Sequence, residues 1–184
     1  MAPPIAAPSP RLIWMDLEMT GLNPETDHIL EIATIITDND LSLIQQGPCL
    51  VIHQDEGTLN RMDEWNQKQH RKSGLLPKVR ASDIGTSQAE ALTLAFIKKL
   101  IPPREGVLCG NSIWQDRRFI ARHMPALDQY LHYRMLDVSS VKILSKLWFK
   151  ELPHFEKKEA HRALDDIEES IRELIYYRQN IFRS

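Results

Sequence analysis

Apolar positions along this chain follow a strand-like rhythm first and a helical one afterwards, and that change of period predicts the architecture. Leu12-Ile13-Trp14-Met15 is an unbroken apolar run closed by the turn Gly21-Leu22-Asn23-Pro24, the mark of a buried strand. Residues 29–37 are β-branched and apolar, Asn39-Asp40 offers a turn, and residues 49–52 suggest a third strand, so the first third reads as an antiparallel group. From Asp63 the period lengthens. A polar helix to His70, with Met62, Trp65 and Gln69 on one side, ends at Ser73-Gly74. Ser87 and Glu90 have capping-box spacing at the head of a helix whose stripe is Leu92, Ala95, Phe96 and Leu100, stopped by Pro102-Pro103. A strand over 107–109 precedes a helix over 113–124 closed by Pro125. A strand over 135–138 precedes a helix over 139–148, and a last helix carries Leu164, Ile167, Ile171, Leu174 and Ile175. Strands first, then helix and strand in alternation, predict an α/β fold with a mixed sheet flanked by helices.

Composition narrows the class. A chain of 184 residues suits one domain, assigned to 11–184, with the Pro/Ala-rich residues 1–10 read as a disordered tail. Hydrophobic residues at 42% and charged residues at 26% are right for a globular protein and wrong for a disordered one. No apolar run approaches the roughly 20 residues of a spanning helix, which excludes a helical membrane protein. The start lacks the pattern of a secretory or transit signal, and Cys49 and Cys109 have neither disulfide-framework nor metal-ligand spacing, so a reducing cytoplasm is expected. Net charge −2 denies the chain a global basic field for long nucleic acids, so any nucleic-acid partner should be small.

The chemistry sits in acidic groups at the ends of predicted elements. Asp16-Leu17-Glu18 ends the first strand, and alternation puts both carboxylates on one face, where they can hold hard cations. An isolated Asp-x-Glu is more often a solvated pair. Asp116 follows Gly110-Asn111-Ser112 and falls on the opening turn of the next helix, where a carboxylate also suits the macrodipole. His161 with Asp165-Asp166 stands where the last helix begins. Helical positions five apart differ by about 140°, so His161 and Asp166 cannot share a helical face. If both act at one site, His161 belongs to the loop before the helix; by spacing alone Asp165 competes with Asp166. All three groups lie at strand ends or helix starts, where α/β folds build their sites.

These residues carry a resemblance. Asp16-Leu17-Glu18-Met19-Thr20-Gly21-Leu22, Gly110-Asn111-Ser112 with Gln115-Asp116-Arg117-Arg118-Phe119, and His161-Arg162-Ala163-Leu164-Asp165-Asp166 resemble, in order and spacing, the three exonuclease motifs of the DEDDh group. With His132-Tyr133-Arg134 and Asp137-Val138-Ser139 they resemble the oligoribonuclease family, from Leu12 to Phe182. Trp114, beside the second motif, and Ser140 depart from the usual residues. The resemblance implies an RNase H-like fold and a 3′-to-5′ exoribonuclease that releases nucleoside 5′-monophosphates from very short RNA. Asp16, Glu18, Asp116 and Asp166 become ligands of two divalent cations, Mg²⁺ or Mn²⁺, and His161 the general base. Two carboxylates about 4 Å apart repel by roughly 4 kcal/mol at an effective dielectric of 20, so four together require cations.

By the same resemblance Leu22 wedges between two bases and Trp65 stacks on one. Ser112, Arg134 and Ser139 surround the 5′ phosphate of a dinucleotide, and His70 and Gln115 lie near the cleavage point. Tyr133 and Arg134 are supplied across a homodimer interface to the neighbouring site. Two rival readings are a DEDDh exonuclease acting on DNA or longer RNA 3′ ends, and a catalytically silent nucleic-acid-binding module on the same fold.

Overall fold

The structure, a computed structural model, describes residues 11–156 and 162–182. Its sheet has five strands, β1 (Leu12–Met19), β2 (Ile29–Thr37), β3 (Leu43–Val51), β4 (Val107–Gly110) and β5 (Met135–Asp137), in the order β3-β2-β1-β4-β5. The pairs β1–β2 and β2–β3 are antiparallel, whereas β1–β4 and β4–β5 are parallel, the mixed sheet expected. The described helices are α1 (Glu56–Asn60), α2 (Glu64–Lys72), α3 (Leu75–Ala81), α4 (Thr86–Lys98), α5 (Ile113–His123), α6 (Pro125–Tyr130), α7 (Val138–Trp148) and α8 (Ala163–Asn180).

Alternation along β1 decides what each face of the sheet does. Ile13, Met15 and Leu17 pack with Ile97 of α4, Phe119 and Ile120 of α5 and Leu127 of α6. Leu12 and Trp14 point the other way, into a core with Ile167, Leu174 and Tyr177 of α8. Asp16 and Glu18 continue the even series, so period two aims them at the side of the sheet that α8 covers. A third cluster seats α1 and α3 on Leu30 through Leu59, Leu75, Leu76 and Val79.

Several elements differ from the sequence expectation, each for a tertiary or local reason. β3 begins at Leu43, six residues before the expected start, and its first half is exposed. It is an edge strand, so it has no need of an apolar face and tolerates Pro48, beside a register shift against β2. α3 forms despite Pro77, which lies in the first turn where its missing N–H costs nothing. The capping box is not formed: α4 begins at Thr86 behind Gly85, with no side-chain cap. Glu90 instead accepts the N–H groups of Ala126 and Leu127 at 2.7 and 3.0 Å, capping α6, which starts with Pro125. The buried face of α4 is Ala89, Thr93 and Ile97, and Leu92 of the expected stripe is exposed. Met62 is buried but Trp65 is exposed, so the expected face of α2 is not a core face.

Candidate active site

Asp16 and Glu18 on β1 meet Asp166 in the first turn of α8, with one carboxylate oxygen of each within 4.8 Å of the others. Asp165, the competitor by spacing, is exposed. Asp116, in the first turn of α5 and buried, accepts the Leu17 N–H at 3.0 Å, which ties it to β1 between Asp16 and Glu18. Gly110 makes that approach possible: a Cβ there would lie 3.0 Å from the Met15 carbonyl and 2.9 Å from Ile113. His161 lies outside the described residues; its chain neighbour Arg162 is the N-cap residue of α8.

Crowded burial raises the acids. Desolvation, then Asp116, Asp166, Glu18 and Glu31, holds Asp16 well above the carboxylate range. Glu18 is pushed up to about 8 by burial first and then by Asp166 and Glu31, partly offset by the Arg162 guanidinium. Asp116 rises to about 7 by burial, against the stabilising Leu17 N–H. An all-oxygen donor set, half-buried at Asp16, Glu18 and Asp166 and buried at Asp116, fits a hard divalent cation, which prefers carboxylates to nitrogen or sulfur.

Tertiary packing adds residues that the motifs did not single out. Glu31 of β2, opposite Glu18 in register and fully buried, takes both Nη2 (2.5 Å) and Nε (3.1 Å) of Arg162 and the Ala163 N–H at 3.2 Å. It thereby anchors the start of α8, the helix that carries Asp166. A lone charge inside the apolar run 29–37 was the available signal. His70 is buried; its Nε2 donates to the Met19 carbonyl at 2.9 Å, leaving Nδ1 3.7 Å from the Glu18 carboxylate.

Beside the acids is a pocket of about 140 Å³ lined by Leu17, Glu18, Leu22, Trp65, Gln69 and His70, among others. Leu22 and Trp65 are 70% and 63% exposed at its mouth, large apolar groups without core duty. Gln115 donates to the Leu22 carbonyl at 2.6 Å and accepts from Arg118, which holds that loop against α5. Ser112 adopts a left-handed backbone (φ 52°), turning its N–H to Asp137 Oδ1 at 2.9 Å and Ser139 Oγ at 3.0 Å. The two serine hydroxyls are 3.2 Å apart. Tyr133 is exposed with the Arg134 guanidinium 5.0 Å from its ring centroid, and the pair lines neither the pocket nor the acid cluster.

A five-stranded mixed sheet with acids gathered where β1 meets α5 and α8 defines the RNase H-like exonuclease class. The exonuclease family model matches residues 13–174. The oligoribonuclease of Pseudomonas syringae pv. tomato is 56% identical over 172 residues, covering 94% of this chain and 96% of that protein. The oligoribonuclease of Shewanella sp. strain MR-4 is 51% identical over 180 residues, covering 97% of this chain and 99% of that one. Among solved structures, exonuclease I of Methylocaldum szegediense superposes with a TM-score of 0.68 at 18% identity over 93% of this chain. Escherichia coli exonuclease I in complex with a dT13 oligonucleotide gives 0.70 at 16% identity over 91%. This chain spans 41% of the length of each exonuclease I chain. The chain belongs to the oligoribonuclease family.

Proposed function

We propose that this protein is a 3′-to-5′ exoribonuclease that hydrolyses very short single-stranded RNA, dinucleotides above all, to nucleoside 5′-monophosphates. The single observation that carries the reading is the gathering of Asp16, Glu18 and Asp166 within 4.8 Å, with Asp116 bonded to the intervening backbone. These four would hold two divalent cations, Mg²⁺ or Mn²⁺, which when bound supply Lewis acidity at the scissile phosphodiester. His161 acts as general base, taking a proton from the attacking water as the bond from phosphorus to the 3′ oxygen breaks. Leu22 separates two bases, and Trp65 stacks on one irrespective of its identity. His70 and Gln115 hold the cleavage end, while Ser112, Ser139 and Arg134 receive the 5′ phosphate.

The surface of α7 supports a homodimer. Ile143, Leu144, Leu147 and Trp148 form an exposed apolar stripe, with Leu147 at 60% and Trp148 at 69% exposure, and Met135 of β5 is exposed as well. In this reading the two-fold interface delivers the exposed Tyr133 and Arg134 to the neighbouring site. No helix among the described residues is long and apolar enough to cross a membrane. The unpaired Cys49 and Cys109 suit a reducing cytoplasm.

The test is turnover of a 5′-phosphorylated diribonucleotide against long single-stranded RNA and DNA in Mn²⁺, with chelator as control. We expect mononucleotide from the diribonucleotide at least roughly tenfold faster than from either long strand, and none in chelator. Preference for a long strand would favour the broader exonuclease reading. No product from any substrate would favour a silent binding module.

A further inference from the structure

Behind Ser112 and Ser139 runs a file of polar groups that ends on Glu173, a carboxylate with 0% exposure. Ser139 Oγ donates to Asn111 Oδ1 at 3.1 Å while accepting the Ser112 N–H. The Asn111 amide donates to Ser170 Oγ at 2.8 Å and to Glu173 Oε2 at 3.1 Å. Ser170 passes its own proton to the Asp166 carbonyl at 2.8 Å. The second oxygen of Glu173 accepts from Tyr177 Oη at 3.0 Å and faces Lys142 Nζ at 3.2 Å. These groups belong to the connection between β4 and α5, to α7 and to α8, so the file crosslinks three parts of the chain around the candidate site.

Donor chemistry gives the file a direction. Asn111 donates through Nδ2 to Glu173 Oε2, whose partner oxygen faces the Lys142 ammonium, so the amide is left to present Oδ1 to Ser139. Oδ1 also only accepts, which commits the single proton of the Ser139 hydroxyl to Asn111. Between the two hydroxyls, 3.2 Å apart, Ser112 is then the donor. Ser112 is the more exposed residue of the pair, and its hydroxyl can turn its proton from Ser139 to an incoming anion.

We propose that Glu173 and Asn111 are positioning residues for the 5′-phosphate subsite, orienting Ser139 as a holder and Ser112 as the hydroxyl that donates to the phosphate. The inference rests on the reading of Ser112 and Ser139 as phosphate-facing residues. A Gln at position 173 keeps the shape but replaces one acceptor by a donor, and with Lys142 competing for its remaining oxygen it presents an amide to an amide. Asn111 then turns over, and the serine pair loses its direction.

The experiment is steady-state kinetics of the full-length protein on a diribonucleotide with a 5′ phosphate and on the same diribonucleotide with a 5′ hydroxyl. The proteins are wild type, Ser112→Ala, Glu173→Gln and Asn111→Ala, the last because half-buried Asn111 tolerates truncation if Glu173→Gln does not fold. We expect all three variants to lower the preference for the phosphorylated over the hydroxyl substrate by roughly tenfold, and Glu173→Gln and Asn111→Ala to do so through KM for the phosphorylated substrate, with KM for the hydroxyl substrate and both kcat values within about twofold. If Ser112→Ala discriminates between the substrates while Glu173→Gln and Asn111→Ala do not, the inference is overturned and the subsite reading stands. Equal losses on both substrates for Glu173→Gln and Asn111→Ala assign these residues a merely structural role, which also overturns it. If Ser112→Ala itself fails to discriminate, the subsite reading falls and takes the inference with it.

Discussion

Asp16, Glu18 and Asp116 are held protonated beyond their ordinary range chiefly because they are buried, and secondarily because other acids face them, Asp116 and Asp166 beside Asp16, Asp166 and Glu31 beside Glu18, and Asp137 beside Asp116. A carboxyl raised in the folded state binds more protons there than in the unfolded chain, so its contribution is most favourable below its unfolded value and is lost as pH rises through the folded one. For Glu18 the window runs from the ordinary 4.5 to about 8. His28, lowered by burial and by His123, acts in the opposite sense but only below its ordinary 6.5. In chelator the melting temperature should therefore fall between pH 6.5 and 8, and saturating Mn²⁺ should flatten that slope by replacing protons. A chelated protein whose melting temperature is level or rises over this window would contradict the assigned burial of charge. Asp16→Asn removes one of the crowded charges, so it should abolish turnover while leaving the chelated protein at least as stable as wild type. Thermal melts beside a cleavage assay check this, and a clear loss of apo stability would mean that Asp16 is a structural residue.

Among the elements, those whose pattern is local were legible. β2 was read to the residue because its run 29–37 is buried throughout. The apolar stripe of α8 and the ends of α2 and α5 followed from period, Asp63 and Pro125. α1, α3 and α6 were missed because five to seven residues span too few turns for a periodic signal. The polar half of β3 was missed because an edge strand shows no alternation. Glu90 is the instructive error: its spacing from Ser87 is that of a capping box, yet its carboxylate serves a helix 36 residues away. Glu90→Ala should accordingly destabilise the fold by about 1 kcal/mol through the lost cap on α6, with kcat and KM unchanged. Urea unfolding measures the first and the dinucleotide assay the second; unchanged stability would show that the cap contributes nothing.

At the scale of the whole molecule, three stretches about 50 and 100 residues apart converge because β1 lies at the centre of the sheet, with α5 entering after its parallel neighbour β4 and α8 crossing the opposite face. The exposed apolar face of α7 motivates a test of the proposed shared sites. Arg134→Ala and Asp16→Asn subunits, each inactive alone, should regain up to about a quarter of wild-type activity when mixed, the share expected if heterodimers form half the population and carry one intact site of two. Light scattering and an assay after verified subunit exchange would decide it, and no recovery would count against a shared site.

Read alone, the amino-acid order determined the class of fold, the acidic groups and the resemblance to a family, because strand and helix periods and short motifs are written over a few neighbouring residues. Only the tertiary structure decided which acids share a face with Asp166, that Glu31 clamps Arg162, that Glu173 steers Asn111, and that Glu90 caps a distant helix. Those partners lie tens to more than a hundred residues apart, and a carboxylate carries no mark of its partner until packing removes water and leaves one donor within reach.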